Sequence, residues 1–196
     1  AELAGSPFRV LVAPRPLPFD ADIHAMQVVG PAGELLYMTA LPAHRSVLDL
    51  TATTRRVDQP FIAILGGRSV DQVLNYYERM TATPVIAPTP VIVQIINDTF
   101  NLPAAQAVPL GIVKLPRDYL IEVDELPPAA SHYPPGTGQI PDVIAMVSFR
   151  CANLPELPIE WRQAPASLAG APYDGRRAGL AVGCAGEWLE LIEASD

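Results

Sequence analysis

The 196 residues carry 13 Lys+Arg against 21 Asp+Glu, a formal net charge of −8. A phosphate-backbone binder presents a clustered basic face, whereas the basic runs here are pairs such as Arg55-Arg56 and Arg176-Arg177, so nucleic acid is a poor candidate partner. Hydrophobic residues make up 49% and charged residues 17%, too apolar for disorder, yet runs such as Val91-Ile92-Val93 and Leu180-Ala181-Val182 fall far short of a bilayer span, so a soluble chain is expected.

Proline sets the fold class. There are 22, about twice the usual share of roughly 5%. Prolines at that density break helices but are tolerated in turns, strand ends and edge strands. The apolar runs between them are short and β-branched. A mainly β (α+β) chain follows: an antiparallel β-sandwich or barrel-like domain with one packed helix and long proline-rich loops. No composition shift marks a boundary, so residues 1–196 are taken as one domain. Cys151 and Cys184 permit at most one disulfide, with small buried thiols the expectation.

In chain order, residues 8–12 read as a strand, followed by a stiff connection over residues 14–18. Residues 19–29 form a second strand, and the Gly30-Pro31-Ala32-Gly33 turn joins residues 26–29 to residues 35–38 as a hairpin. Residues 46–53 alternate as a half-buried strand. Residues 61–65 form a buried strand that runs into Gly66-Gly67-Arg68-Ser69. The helix comes next, over residues 69–80. Ser69 and Gln72 have capping-box spacing, and Val70, Val73, Leu74 and Tyr77 make an apolar stripe of helical period. Residues 91–96 read as a central strand, followed by strands at 112–115, 119–123 and 143–149. A hairpin joins residues 180–184 to residues 188–192. Residues 127–141 and 153–175 are expected as long loops, where function or contact tends to lie.

Two side-chain sets suggest binding chemistry. Gly66, Gly67, Arg68 and Ser69 stand between a strand and a helix start, where free backbone N–H groups and an arginine suit a phosphate or carboxylate. They lack Walker or dinucleotide spacing, and glycines there also serve simply to turn the chain. Asp20, Asp22 and His24 share one face of an extended strand. With a further ligand such as His44 or His132 they suit a divalent metal, against the plainer role of a wet strand face.

Catalytic sets are less coherent. His44 with Ser46 and Asp49, or Ser131 with His132, have no recognisable nucleophile signature. Glu122, Asp124 and Glu125 suggest the paired acids of glycoside chemistry, but alternation about Val123 assigns Glu122 and Asp124 to the outer face of a strand. Trp161, Tyr76 and Tyr77 are candidate ligand-stacking rings, and Trp188 reads as core.

The expectation is therefore a structural or interaction protein, more a non-enzyme than an enzyme. It would be a β-rich subunit of a larger assembly with itself or other proteins, a virion capsid or tail component being one concrete form and the cytoplasm another setting. The alternative is an enzyme or binding domain for a small anionic ligand at the Gly66 to Ser69 turn. No cofactor is expected, apart from the divalent metal considered at Asp20, Asp22 and His24.

Overall fold

The computed structural model describes residues 3, 5–17, 20–41, 60–130 and 146–194. Eleven strands in three sheets and two α-helices lie among them, so the mainly β, antiparallel-rich α+β class holds. Contacts divide the chain into two compact units where the sequence shows no boundary: Ala1–Pro60 with Ile140–Ile144, and Phe61–Gln139 with Ala145–Asp196.

The first unit holds an antiparallel meander of β1 (Arg9–Leu17), β2 (Asp20–Val29) and β3 (Leu35–Ala40), in that order across the sheet. The Gly30 to Gly33 turn closes the β2–β3 hairpin as expected, with Gly33 at a φ of 86° and Val29 opposite Leu35. Ile23 and Val28 are fully buried. The expected connection after residue 12 is instead strand through Leu17. Pro14 and Pro16 are tolerated because β1 is an edge and its register with β2 shifts at three places. The strand expected at residues 46–53 lies outside the described residues.

The second unit opens with β4 (Ile62–Gly67), α1 (Val70–Thr81), β5 (Val85–Val91), α2 (Gln94–Phe100), β6 (Val108–Lys114) and β7 (Leu120–Glu125). Its sheet order is β4-β7-β6-β5, with β4 and β7 parallel and the other pairs antiparallel. The helix forms where the spacing places it. Ser69 caps it, its Oγ accepting the Gln72 N–H at 3.4 Å, and Val70, Val73, Leu74 and Tyr77 are its buried residues.

The second helix is not anticipated by the sequence. Residues 94–100 carry β-branched isoleucines that favour a strand, but burial of Ile96 against Val93 and Val108 overrides that propensity. Asn97 fixes the turn beyond it, donating from Nδ2 to the carbonyls of Ala104 and Gln106.

The same unit continues with β8 (Met146–Cys151), β9 (Trp161–Ser167), β10 (Arg177–Val182) and β11 (Trp188–Glu193). The order β8-β11-β10-β9, with β8 and β11 parallel, repeats that of the first sheet. A single 3-10 turn at Leu154–Glu156 stands where the first module has α1. Part of the expected loop 153–175 is thus a strand, β9. Its counterpart loop lies mostly outside the described residues.

One core joins the two modules. Val70, Val73, Leu74 and Tyr77 of α1 pack with Leu65, Val113, Ile121 and Val123 of their own sheet and with Ala181 and Leu189 of the next. Trp161 lies against Gly179, where an added Cβ would come within 2.5 Å of the indole ring. Gly179→Ala is therefore expected to cost about 1–3 kcal/mol by overpacking, read from its urea unfolding midpoint. An unchanged midpoint would show that the ring moves aside freely. Trp161 is half-buried and packed against the core, and Trp188, expected as core, is also only half-buried.

Candidate functional site

α1 covers one face of the sheet β4-β7-β6-β5. Strand alternation puts Leu65, Val113, Ile121 and Val123 on that face, and Ile64, Ile86, Ile112, Glu122 and Asp124 on the other. Glu122 sits between Ile64 on β4 and Ile112 on β6, and Asp124 between Gly66 and Leu110. The sequence expectation that both acids lie on an outer, wet surface is incorrect. Asp124 is 4% exposed and Glu122 is half-buried, because alternation separates two faces without saying which is wet.

Neither carboxyl has a hydrogen-bond partner among the described residues, and Asp124 Oδ1 is buried without one. Burial, followed by repulsion from Asp124, pushes the Glu122 carboxyl up to about 8. Burial alone pushes that of Asp124 up to about 6. Both carboxyls therefore keep their protons to a higher pH than a free acid does, Glu122 more so than Asp124. Buried polar groups are ordinarily paired, and acids shifted this far by desolvation mark candidate sites.

The second module contains an internal comparison. In-register parallel pairing of β4 with β7 and β8 with β11 makes Leu120 to Glu125 equivalent, residue by residue, to Trp188 to Glu193. Glu190 thus occupies the position of Glu122. It accepts hydrogen bonds from Ser148 Oγ and Tyr173 Oη, each at 2.6 Å. Ile64 stands at the position of Ser148, and Ile192 at that of Asp124. The glutamate of the second module is satisfied within the chain, and the acids of the first have no partner among the described residues. The sequence signal for the correspondence is a shared apolar-Glu-apolar-x-Glu pattern, Ile121 to Glu125 against Leu189 to Glu193.

Of the other residues singled out from sequence, Gly66 adjoins Asp124 across the β4–β7 pair and Gly67 adjoins Glu125. Gly66 and Gly67 end β4, where added Cβ atoms would come within 2.5 Å of the Leu126 side chain and 2.9 Å of Val73 Cγ2. Arg68 is exposed. The helix start beside it already has an internal anion, since the Val70 N–H donates to Glu125 Oε2 at 3.2 Å. Asp20, Asp22 and His24 alternate along β2, with Asp20 Oδ1 accepting the Asp22 N–H at 3.0 Å. No group of three His, Cys, Asp or Glu side chains among the described residues is gathered to hold a metal ion. His44, Ser46, Asp49, Ser131 and His132 lie outside the described residues.

Two further expectations change. Cys151 and Cys184 are free, and Cys184 is exposed rather than buried. Tyr76 and Tyr77 meet edge to face at 5.3 Å, with Tyr77 fully buried and its hydroxyl donating to Glu187, so that ring is not available to stack on a ligand. Beside them a 510 Å3 groove is lined by Gln72, Asn75, Glu78, Arg79 and Cys184. None of these side chains is buried.

No protein-family model and no curated protein matches the sequence. Solved structures do. Glyoxalase I from Zea mays superposes with a TM-score of 0.60 at 12% identity, over 97% of this chain and 61% of that one. A glyoxalase family protein from Bacillus cereus superposes with a TM-score of 0.51 at 14% identity, over 73% of this chain and 98% of that one. The chain therefore spans about three fifths of the maize protein's length. At this identity the likeness is one of fold: a glyoxalase-like βαβββ fold, with α1 present in the first module and a 3-10 turn in its place in the second. This likeness overturns the expectation of a structural assembly subunit of the virion type. No helix among the described residues is long and apolar enough to cross a membrane.

Proposed function

We propose that the chain is a small-molecule-binding domain of enzyme type, its ligand lying over Glu122 and Asp124 on the sheet face opposite α1. The observation that carries this function is the buried, unpartnered Asp124 carboxylate beside the half-buried Glu122. The glyoxalase names of the proteins sharing the fold agree with it. The pair can take a proton at Asp124 and give one from Glu122, which is general acid–base chemistry within the physiological range. Ile64, at 36% exposure, and Ile86, at 44%, give a ligand an apolar surface beside the acids.

A thermal-shift screen of small molecules tests this function. A compound at about 100 times its Kd adds about 2.7 kcal/mol, a rise of several degrees in Tm. Hits are expected to lose that rise in Glu122→Gln and Asp124→Asn. Hits that stabilise wild type and both variants equally would place the ligand elsewhere, the Gly66 to Ser69 turn being the next location to examine with Arg68→Ala.

A further inference from the structure

The repeat-related glutamates show what is missing around the first pair. Glu190 has two hydroxyl donors, one from the adjacent parallel strand and one from Tyr173. Around Glu122 the adjacent-strand position holds Ile64, which cannot donate. Asp124 adds a second carboxyl where the second module has Ile192. Lys114 lies on the same face, opposite Leu120, yet no cation is among the causes that set either acid. Among the described residues, no side chain donates to either carboxyl and no cation offsets either one, so the two are acceptors in excess.

We propose that the ligand of this face, taken as the site argued above, is an amine carried as its ammonium on an apolar body. The ammonium donates to Asp124 and Glu122, and the body lies over Ile64, Ile86 and Ile112. An anion would meet two acids with no offsetting cation, among the described residues, at either carboxyl. A hard divalent cation needs six or more oxygen ligands, usually including several waters, but the neighbours here are Ile64, Gly66, Leu110 and Ile112. An ammonium needs acceptors alone, and Asp124 Oδ1 is an acceptor with none of its capacity used.

The test is an amide-NMR titration of the full chain near neutral pH with three probes of one shape: cyclohexylmethylammonium, cyclohexylmethanol and cyclohexanecarboxylate. Zn2+ and Mn2+ are titrated separately. The ammonium is expected to shift amides of β4, β6 and β7, the alcohol to bind more weakly and the carboxylate not to bind. Asp124→Asn should weaken the ammonium at least tenfold, and Glu122→Gln gives the same comparison if the first variant does not fold. Carboxylate binding as tight as the ammonium, or shifts caused only by the metal ions, would overturn the amine class while leaving the face as a ligand site. A thermal-shift hit that acts through this face without an amine does the same. If no compound acts on this face at all, the site itself is wrong.

Discussion

Raising the pH from about 5 to about 8 is expected to destabilise the protein by several kcal/mol, and the combination of Glu122→Gln with Asp124→Asn to remove most of that loss. The sign follows from proton affinity. Glu122 moves from 4.5 to about 8 and Asp124 from 3.8 to about 6. Both carboxyls hold their protons more tightly in the folded chain than in the unfolded one. Their contribution is thus fully present below the unfolded values and is lost as pH rises through about 6 and then about 8. Each tenfold change in proton affinity corresponds to about 1.4 kcal/mol, so the two together outweigh most surface effects. Urea unfolding at three pH values measures it. A wild-type midpoint that stays level across that range would show that the acids are not buried as described. An ammonium ligand should restore stability at the upper end, where the two carboxyls carry the most negative charge.

Tyr77→Phe is expected to cost about 1–3 kcal/mol although it removes one oxygen, because it leaves a buried acceptor short of its donor. The Tyr77 hydroxyl reaches from α1 to Glu187 in the turn between β10 and β11. The other Glu187 oxygen accepts the Ala185 N–H at 2.9 Å. Burial pushes the Glu187 carboxyl up and, with Glu187 beside it, pushes the Tyr77 hydroxyl well above its ordinary range. Tyr77→Ala also empties a core site and should cost about 3–5 kcal/mol. Adding Glu187→Gln to the Tyr77→Phe variant separates the terms: recovery of part of the loss assigns it to the stranded carboxylate. If Tyr77→Phe alone is silent, the bond is not what ties the first module to the second.

How much of this could be read in advance depended on whether a signal was local. The α1 helix was legible because its cap and its apolar stripe lie within twelve residues and agree. The two glycine hairpins, with turns at residues 30–33 and 185–187, were legible for the same reason. The helix over Gln94–Phe100 was not, since its isoleucines favour a strand until Ile96 finds Val93 and Val108. Glu122 and Asp124 were correctly placed on a strand and assigned to the wrong environment. Period-two alternation orders side chains into two faces, but only the rest of the fold decides which face is covered. The repeat was concealed for a related reason. Its two copies share strand order and the positions of two glutamates, while the residues around those positions differ, and one copy has no long helix.

The prolines within strands also fall in a pattern. They are Pro14 and Pro16 on β1, Pro88 and Pro90 on β5, and Pro165 on β9, each strand an edge of its sheet among the described residues. Pro109, near the start of β6, lies before the first residue paired with β7. An open sheet edge is a template on which another chain can add a strand, and a proline cannot supply the N–H that such growth needs. One edge of every sheet is thereby guarded against aggregation. Any chain that adds by backbone pairing must use the opposite edges, β3, β4 or β8, and β4 borders the face that carries the two acids.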